Sequence, residues 1–257
     1  MWKNELAVAA EAAKAAGDIL RSMFGRVNRI EKKGAIDLVT DADLKSEKAV
    51  LDILRNRFPD DCILSEESGE THASSNRTWV VDPLDGTTNY AHGFPFFAVS
   101  IALEADGDLV LGIVYNPWMN EYFEAAAGTG AFLNGERIRV SETENLQEAL
   151  LGTGFPYDIH EKHREVMELF TRMVVKAQGV RRPGSAAIDL CYLAAGRLDG
   201  FWETGLKPWD TAAGAIIVKE AGGTLSTFDG APYPPFADTV IASNGRLHEA
   251  MLEVIRA

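Results

Sequence analysis

Trp79-Val80-Val81-Asp82-Pro83-Leu84-Asp85-Gly86-Thr87-Thr88-Asn89 is an apolar run that ends in two carboxylates and a glycine. Thr78–Val81 reads as a short strand, and Asp82 and Asp85 stand where it runs out. Pro83 fixes φ and carries no N–H, so the turn is stiff and both carboxylates can point to one side. Gly86 lets backbone come close to a ligand. If Gly86-Thr87-Thr88 opens a helix, its free N–H groups form a ready phosphate site. Hard cations such as Mg²⁺ prefer carboxylate, carbonyl and water oxygens, and keep part of their shell for a phosphate. A carboxylate cluster beside a helix N-terminus is therefore a two-part trap for a phosphate group.

Three other acidic segments lie outward from this one: Leu38-Val39-Thr40-Asp41-Ala42-Asp43, Ser65-Glu66-Glu67-Ser68 and Pro208-Trp209-Asp210. Each has a bland reading when taken alone. Asp210 would cap a helix starting at Thr211, and Asp41 and Asp43 would be first-turn acids. Glu66-Glu67 would be a solvated pair, and Asp85-Gly86 an ordinary turn. Ser185 would cap the helix after Gly184, and Glu203 would be an exposed strand residue.

Periodicity fills in the rest of the chain. Leu6, Ala9, Ala10, Ala13, Ile19, Leu20 and Met23 share one face of a helix over about 2–24, ending at Gly25. A loop with Lys32, Lys33 and Gly34 follows. A second helix begins near Asp41, carries Leu44, Val50, Leu51 and Leu54, and stops at Pro59. After a strand at Cys62–Ser65 and the one at Thr78–Val81, three runs, Phe97–Glu104, Leu109–Tyr115 and Glu121–Ala126, read as an antiparallel meander. From Asn145 strands alternate with helices near 160–175, 185–195, 211–221 and 247–256, with strands at Gly200–Glu203 and Thr239–Ala242. The pattern predicts a layered α/β or α+β fold. No linker or repeat marks a boundary, so a single domain over 1–257 is expected, with halves of about 1–144 and 145–257.

The 257 residues carry a formal net charge of −13. Such a balance argues against nucleic acid or an anionic membrane surface as the main partner, since both would be repelled. An acidic protein handling a phosphate also needs a local reversal of sign, which bound divalent cations supply. Two isolated cysteines, Cys62 and Cys191, make no disulfide framework and point to a reducing cytoplasm. Charges at Glu5, Glu11, Lys14 and Asp18 exclude a signal peptide, and no apolar stretch reaches membrane-spanning length.

Asp82-Pro83-Leu84-Asp85-Gly86-Thr87-Thr88-Asn89 resembles the first signature of the inositol monophosphatase family, and Trp209-Asp210-Thr211-Ala212-Ala213-Gly214, continuing to Glu220-Ala221-Gly222-Gly223, resembles the second. Lys32, Asp37-Leu38-Val39-Thr40, Asp43 and Glu66-Glu67-Ser68 match in order and spacing. The resemblance implies the layered αβαβα sugar-phosphatase fold, with mixed and antiparallel sheets, and a lithium-sensitive, Mg²⁺-dependent phosphatase that is commonly a homodimer. It implies that Glu66, Asp82 and the Leu84 carbonyl bind a first Mg²⁺ and that Asp82, Asp85 and Asp210 bind a second, with Glu66 helping at a weaker third. Thr87, paired with Asp43, would orient or deprotonate the attacking water, and Glu66 joins them in the catalytic set. Lys32, Gly86, Thr87, Gly184, Ser185, Ala186, Glu203 and Asp210 would contact the substrate. Ser185 stands where animal members tend to carry Thr, and Arg181-Arg182 resembles bacterial and archaeal relatives, some of which accept fructose 1,6-bisphosphate. The expected substrate is inositol 1-phosphate, with fructose-1,6-bisphosphatase or dual-specificity sugar phosphatase activity as the alternative.

Other motifs fail on context. Cys191 and Arg197 have cysteine-phosphatase spacing, but Tyr192-Leu193-Ala194-Ala195 reads as helix, so Cys191 is expected in the core. His160 and His163 lack a partnering ligand pair for zinc. Gly128-Thr129-Gly130 and Gly152-Thr153-Gly154 lack the full dinucleotide fingerprint. A phosphatase with an aspartate nucleophile would need Asp-x-Asp, whereas two residues separate Asp82 from Asp85. A regulatory protein that acts by docking remains the non-catalytic rival.

Overall fold

The computed structural model describes residues 2–26, 30–32 (backbone only), 38–71, 73–234 and 236–257. The first half contains α1 (Lys3–Met23), β1 (Ile30–Lys32), β2 (Leu38–Thr40), α2 (Asp41–Arg57), β3 (Cys62–Ser65), β4 (Gly69–Thr71), β5 (Arg77–Asp85), α3 (Thr87–Ala91), β6 (Ala98–Ala105), β7 (Asp108–Asn116), β8 (Glu121–Ala126), β9 (Gly130–Leu133) and β10 (Glu136–Ile138). After a short 3₁₀ turn come β11 (Leu150–Thr153), α4 (Ile159–Val174), β12 (Gly179–Arg181), α5 (Ala186–Ala194), β13 (Gly200–Thr204), α6 (Pro208–Glu220), β14 (Thr224–Ser226), β15 (Thr239–Ser243) and α7 (His248–Arg256).

Two large sheets result. The first has eight strands in the order β10-β9-β8-β7-β6-β5-β3-β4, antiparallel except where β3 runs parallel to β5. The second has five, β12-β11-β13-β15-β14, parallel on one side of β13 and antiparallel on the other. Three apolar cores set the layers. Ala9, Leu20 and Leu54 of α1 and α2 pack on Trp79, Val81, Ile101 and Ile113 of the large sheet. Its other face, with Val80, Ala102 and Phe123, packs on Ile188 and Leu190 of α5 and Ile217 of α6, which also meet Phe201 and Val240 of the small sheet. Leu151, Trp202 and Ile241 on the far side meet Met173 of α4 and Met251 of α7. The order is α, β, α, β, α, as expected.

Two expectations are corrected. Leu44 is 52% exposed, and the buried side of α2 is Ala42, Asp43, Ser46, Glu47, Val50, Leu51 and Leu54. The first half of that face is polar because it looks onto the candidate site, so the apolar period misplaced it. Lys32 ends a strand paired with Leu38 rather than lying in a loop. Lys33, Gly34 and Asp37, and the side chain of Lys32, lie outside the described residues.

Candidate active site

β5 is parallel to β3 and antiparallel to β6, and the site forms where β3 and β5 both end. Asp82 pairs with Ser100 and Asp85 with Ala98, so three steps on β5 match two on β6. This bulge matters because side chains alternate along a strand, and residues three apart would face opposite ways. The extra residue puts Asp82 and Asp85 on one face, that of Ala98 and Ser100, toward α6. Leu84 turns the other way into the core beneath α1 and α2. Ser46 of α2 fixes the bulge by donating to the Pro83 carbonyl at 2.6 Å.

α6 brings the third acid. The helix starts at Pro208, three residues before the predicted Thr211, so Asp210 lies in its first turn. Its Oδ2 accepts from the Lys207 N–H at 2.6 Å, so Asp210 closes a capping box from inside the helix rather than capping a helix that starts at Thr211. Ser100 Oγ donates to the Trp209 carbonyl at 3.2 Å, tying this helix end to the bulged strand pair. Asp82, Asp85 and Asp210 each place a carboxylate oxygen so that the three lie within 4.8 Å of one another. Burial, then the charge of Glu66, pushes Asp82 well above the usual carboxylate range. Asp210 is pushed well up by burial and then by Asp85. Burial raises Asp85 to about 6, against hydrogen bonds from Ser185 Oγ at 2.6 Å and the Ala187 N–H at 2.8 Å. Ser185, which caps α5 as its bland reading held, thus orients Asp85 across 100 residues of sequence.

Asp43 and Thr87 meet as the family resemblance implies. Asp43 Oδ2 accepts from the Thr40 N–H at 2.8 Å and the Thr40 hydroxyl at 2.5 Å, a capping box at the start of α2. Its Oδ1 lies 2.9 Å from Thr87 Oγ1, which is also 2.9 Å from the Leu84 carbonyl. The hydroxyl has one proton for these two acceptors. Burial raises the Asp43 carboxyl, and the hydrogen bonds from Thr40 and Thr87 pull it back.

Thr87 is held in place by Gly86, which caps α3 at φ +91°. A Cβ there would stand 2.9 Å from the Phe96 carbonyl oxygen, so glycine is required by both conformation and space. Asn89 Nδ2 donates to the Phe96 carbonyl at 2.7 Å and the Pro183 carbonyl at 2.9 Å, locking α3 to the loop that carries Gly184.

Glu66 follows β3, with its N–H on the Val81 carbonyl at 3.2 Å, and its charge raises Asp82, Asp85 and Asp210 alike. The turn that carries it is pinned by Glu47 of α2, whose Oε1 accepts from Ser65 Oγ at 2.5 Å, the Ser68 N–H at 3.0 Å and Ser68 Oγ at 3.1 Å. Beside the acids opens a cavity of about 280 Å³, lined by Gly86, Thr87, Gly184, Ala186, Glu203 and Asp189 among others. Glu203 is buried rather than exposed on its strand. Ser46, Glu47 and Asp189 were missed from the sequence, and Asn89 was seen only as part of the first signature, without a role. A polar residue on a helix face reads as solvated, and only the partner it meets says otherwise.

The donor set is wholly hard: three clustered carboxylates, with the charge of Glu66 acting on Asp82. Among the described residues no lysine or arginine forms an ion pair with Asp82 or Asp85. Such a cluster fits divalent cations, which would offset the burial and mutual repulsion that raise its pKa values.

Comparison with known proteins agrees with this geometry. A family model described as "Inositol monophosphatase family" matches residues 1–257. The inositol-1-monophosphatase of Synechocystis sp. is 46% identical over 254 residues, covering 98% of this chain and 88% of the relative. The Nus factor SuhB of Escherichia coli is 41% identical over 254 residues, covering 98% and 95%. The solved inositol monophosphatase of Anabaena superposes with a TM-score of 0.91 at 41% identity, covering 99% and 96% of the two chains. The chain belongs to the inositol monophosphatase family of phosphoric monoester hydrolases.

Proposed function

We propose that this protein is a Mg²⁺-dependent phosphatase whose substrate is inositol 1-phosphate, a small polyol monoester. The observation that carries the reading is the convergence of Asp82, Asp85 and Asp210 beside a cavity that also holds Glu203. Glu66, Asp82, Asp85, Asp210 and the Leu84 carbonyl would hold two or three cations. When bound, these neutralise phosphoryl charge and lower the pKa of water.

The chain's own residues supply position and proton handling. Thr87 can pass its single proton toward Asp43 Oδ1, the ionisable one of its two acceptors, which leaves its lone pairs to orient the attacking water. Thr40 holds Asp43 from the opposite side through two hydrogen bonds. Gly86, Thr87 and Thr88 line the cavity where α3 begins, in reach of the phosphate. Glu203, from β13, accepts hydrogen bonds from the polyol. The Synechocystis relative's name, inositol-1-monophosphatase, supports the substrate.

Lithium sensitivity, a cytoplasmic location and a homodimer complete the reading. Phe94, Trp118 and Met119, each about half exposed, offer apolar surface that a second copy would cover. Among the described residues no helix is long and apolar enough to cross a membrane. Phosphate release from a panel of monoesters, with Mg²⁺ and with EDTA, tests the proposal. Inositol 1-phosphate should lead the panel in Mg²⁺ and be inert in EDTA. A panel led by fructose 1,6-bisphosphate or a nucleotide would overturn the substrate.

A further inference from the structure

One acid in the cavity has no part in the chemistry above. Asp189, on α5, is 1% exposed, lines the cavity, and leaves its Oδ1 buried with no hydrogen-bond partner. Buried carboxylates without a donor are uncommon, and one on a residue that lines a ligand cavity leaves a donor to be supplied by the ligand.

Its neighbour is Glu203, 7% exposed on β13, whose charge adds to burial in raising Asp189. Glu203 is admitted at the end of β11 by Gly152-Thr153-Gly154, whose glycines lie two residues apart and so face the same way. A Cβ on Gly154 would stand 2.1 Å from Glu203 Oε1, whereas one on Gly152 would crowd Leu198 at 2.9 Å and stand at ordinary contact distance, 3.8 Å, from Asp189 Cβ. The short glycine motif is thus a recess that seats the Glu203 carboxylate at the cavity wall. Arg182, exposed and lining the same cavity, opposes the charge of both acids. Its guanidinium also disfavours a cation at this end, whereas a hydroxyl brings a proton without a charge.

We propose that Asp189 is a second hydroxyl-recognising residue, forming with Glu203 a two-carboxylate wall that selects polyol monophosphates with at least two further free hydroxyls. The proposal rests on the phosphatase reading above and deepens it from substrate class to the groups read. Burial and the Glu203 charge raise Asp189, and burial and the Asp210 charge raise Glu203.

The test is a specificity ratio: kcat/KM for inositol 1-phosphate divided by that for 4-nitrophenyl phosphate, which has no hydroxyl to read. Asp189→Leu should lower this ratio at least tenfold, and Asp189→Asn, which keeps an acceptor, should recover part of it. A ratio within twofold of wild type in Asp189→Leu overturns the proposal, as does an Asn variant no better than Leu. Should Asp189→Leu fail to fold, monodeoxy inositol monophosphates decide the matter. Two different deoxy positions should each cost wild type tenfold or more, and Glu203→Gln should abolish one dependence and keep the other. Loss of both in Glu203→Gln overturns the role of Asp189. A wild type that hydrolyses neither ester takes down the phosphatase reading and this inference together, whereas intact turnover with an unmoved ratio removes only the latter.

Discussion

Thr87 Oγ1 lies 2.9 Å from Asp43 Oδ1, a contact that joins the start of α3 to the start of α2 across 44 residues. Neither residue belongs to the cluster of three acids. On the proposed reading, proton handling and cation holding fall to separate side chains, and substitution should separate them.

Thr87→Ala and Asp43→Asn should each lower kcat by roughly 10²–10⁴, the span of a general acid–base contribution. The Mg²⁺ concentration for half-maximal rate should stay within about threefold of wild type, because the proposed ligands are untouched. Steady-state phosphate release over a Mg²⁺ titration reads both quantities. A large shift in the Mg²⁺ requirement with kcat retained would assign these residues to the cations instead.

Glu47→Ala should do the reverse. It removes the acceptor of three hydrogen bonds that hold the turn bearing Glu66. Residues that orient a metal ligand typically carry about 10–100-fold in affinity, so the half-saturating Mg²⁺ should rise by that factor while kcat at saturation falls less. An unchanged titration would show that the turn holds itself.

Much of this site was legible in the sequence, and its limits are physical. Asp82 and Asp85 announce themselves because two carboxylates bracketing a stiff Pro-Leu turn at the end of an apolar strand ask for more than the ordinary turn that Asp85-Gly86 alone would make. Asp210 and Asp43 were visible as helix-start acids, and both close a capping box while standing among the candidate site residues. The bulge that aims Asp82 and Asp85 together was not visible, since register depends on β6 and on Ser46. α2 misled for a related reason: Asp43, Ser46 and Glu47 occupy its buried face, so an apolar count placed Leu44 inward. Short strands such as β9 and β10 exist through their pairing and carry too few residues to show a period.

Gly86→Ala and Gly222→Ala separate backbone strain from crowding. Both glycines have a similar left-handed φ, +91° and +92°, but a Cβ meets the Phe96 carbonyl only at Gly86 and open space at Gly222. Gly222→Ala should cost about 1–2 kcal/mol by urea unfolding, the cost of that conformation alone. Gly86→Ala should cost clearly more and should lower kcat, because Thr87 moves with it. Equal costs would mean that the site absorbs the extra carbon without shifting.

Asp85 gives a pH prediction for the protein in EDTA. Burial lifts its pKa to about 6 from the ordinary 3.8. A carboxyl raised in the folded state stabilises that state while protonated; the contribution is full below the unfolded value and is lost as pH rises through the folded one. Relative to Asp85→Asn, wild type should lose up to about 3 kcal/mol between roughly pH 4 and pH 7, at about 1.36 kcal/mol per pKa unit. Urea unfolding of both proteins at the two pH values checks this, and Mg²⁺ should reverse the loss. A stability difference independent of pH would contradict it.

The central claim is that the acids on the bulged end of β5, with Asp210, carry a Mg²⁺-dependent hydrolysis. Phosphate release from inositol 1-phosphate by wild type and Asp82→Asn, each titrated with Mg²⁺ after EDTA treatment, tests it most directly. Wild type should be silent without Mg²⁺ and active with it, while folded Asp82→Asn should stay at least about 10³-fold slower at every concentration, a loss of roughly 4 kcal/mol in transition-state stabilisation. Turnover that survives EDTA, or an Asp82→Asn variant that keeps wild-type turnover, would contradict the account.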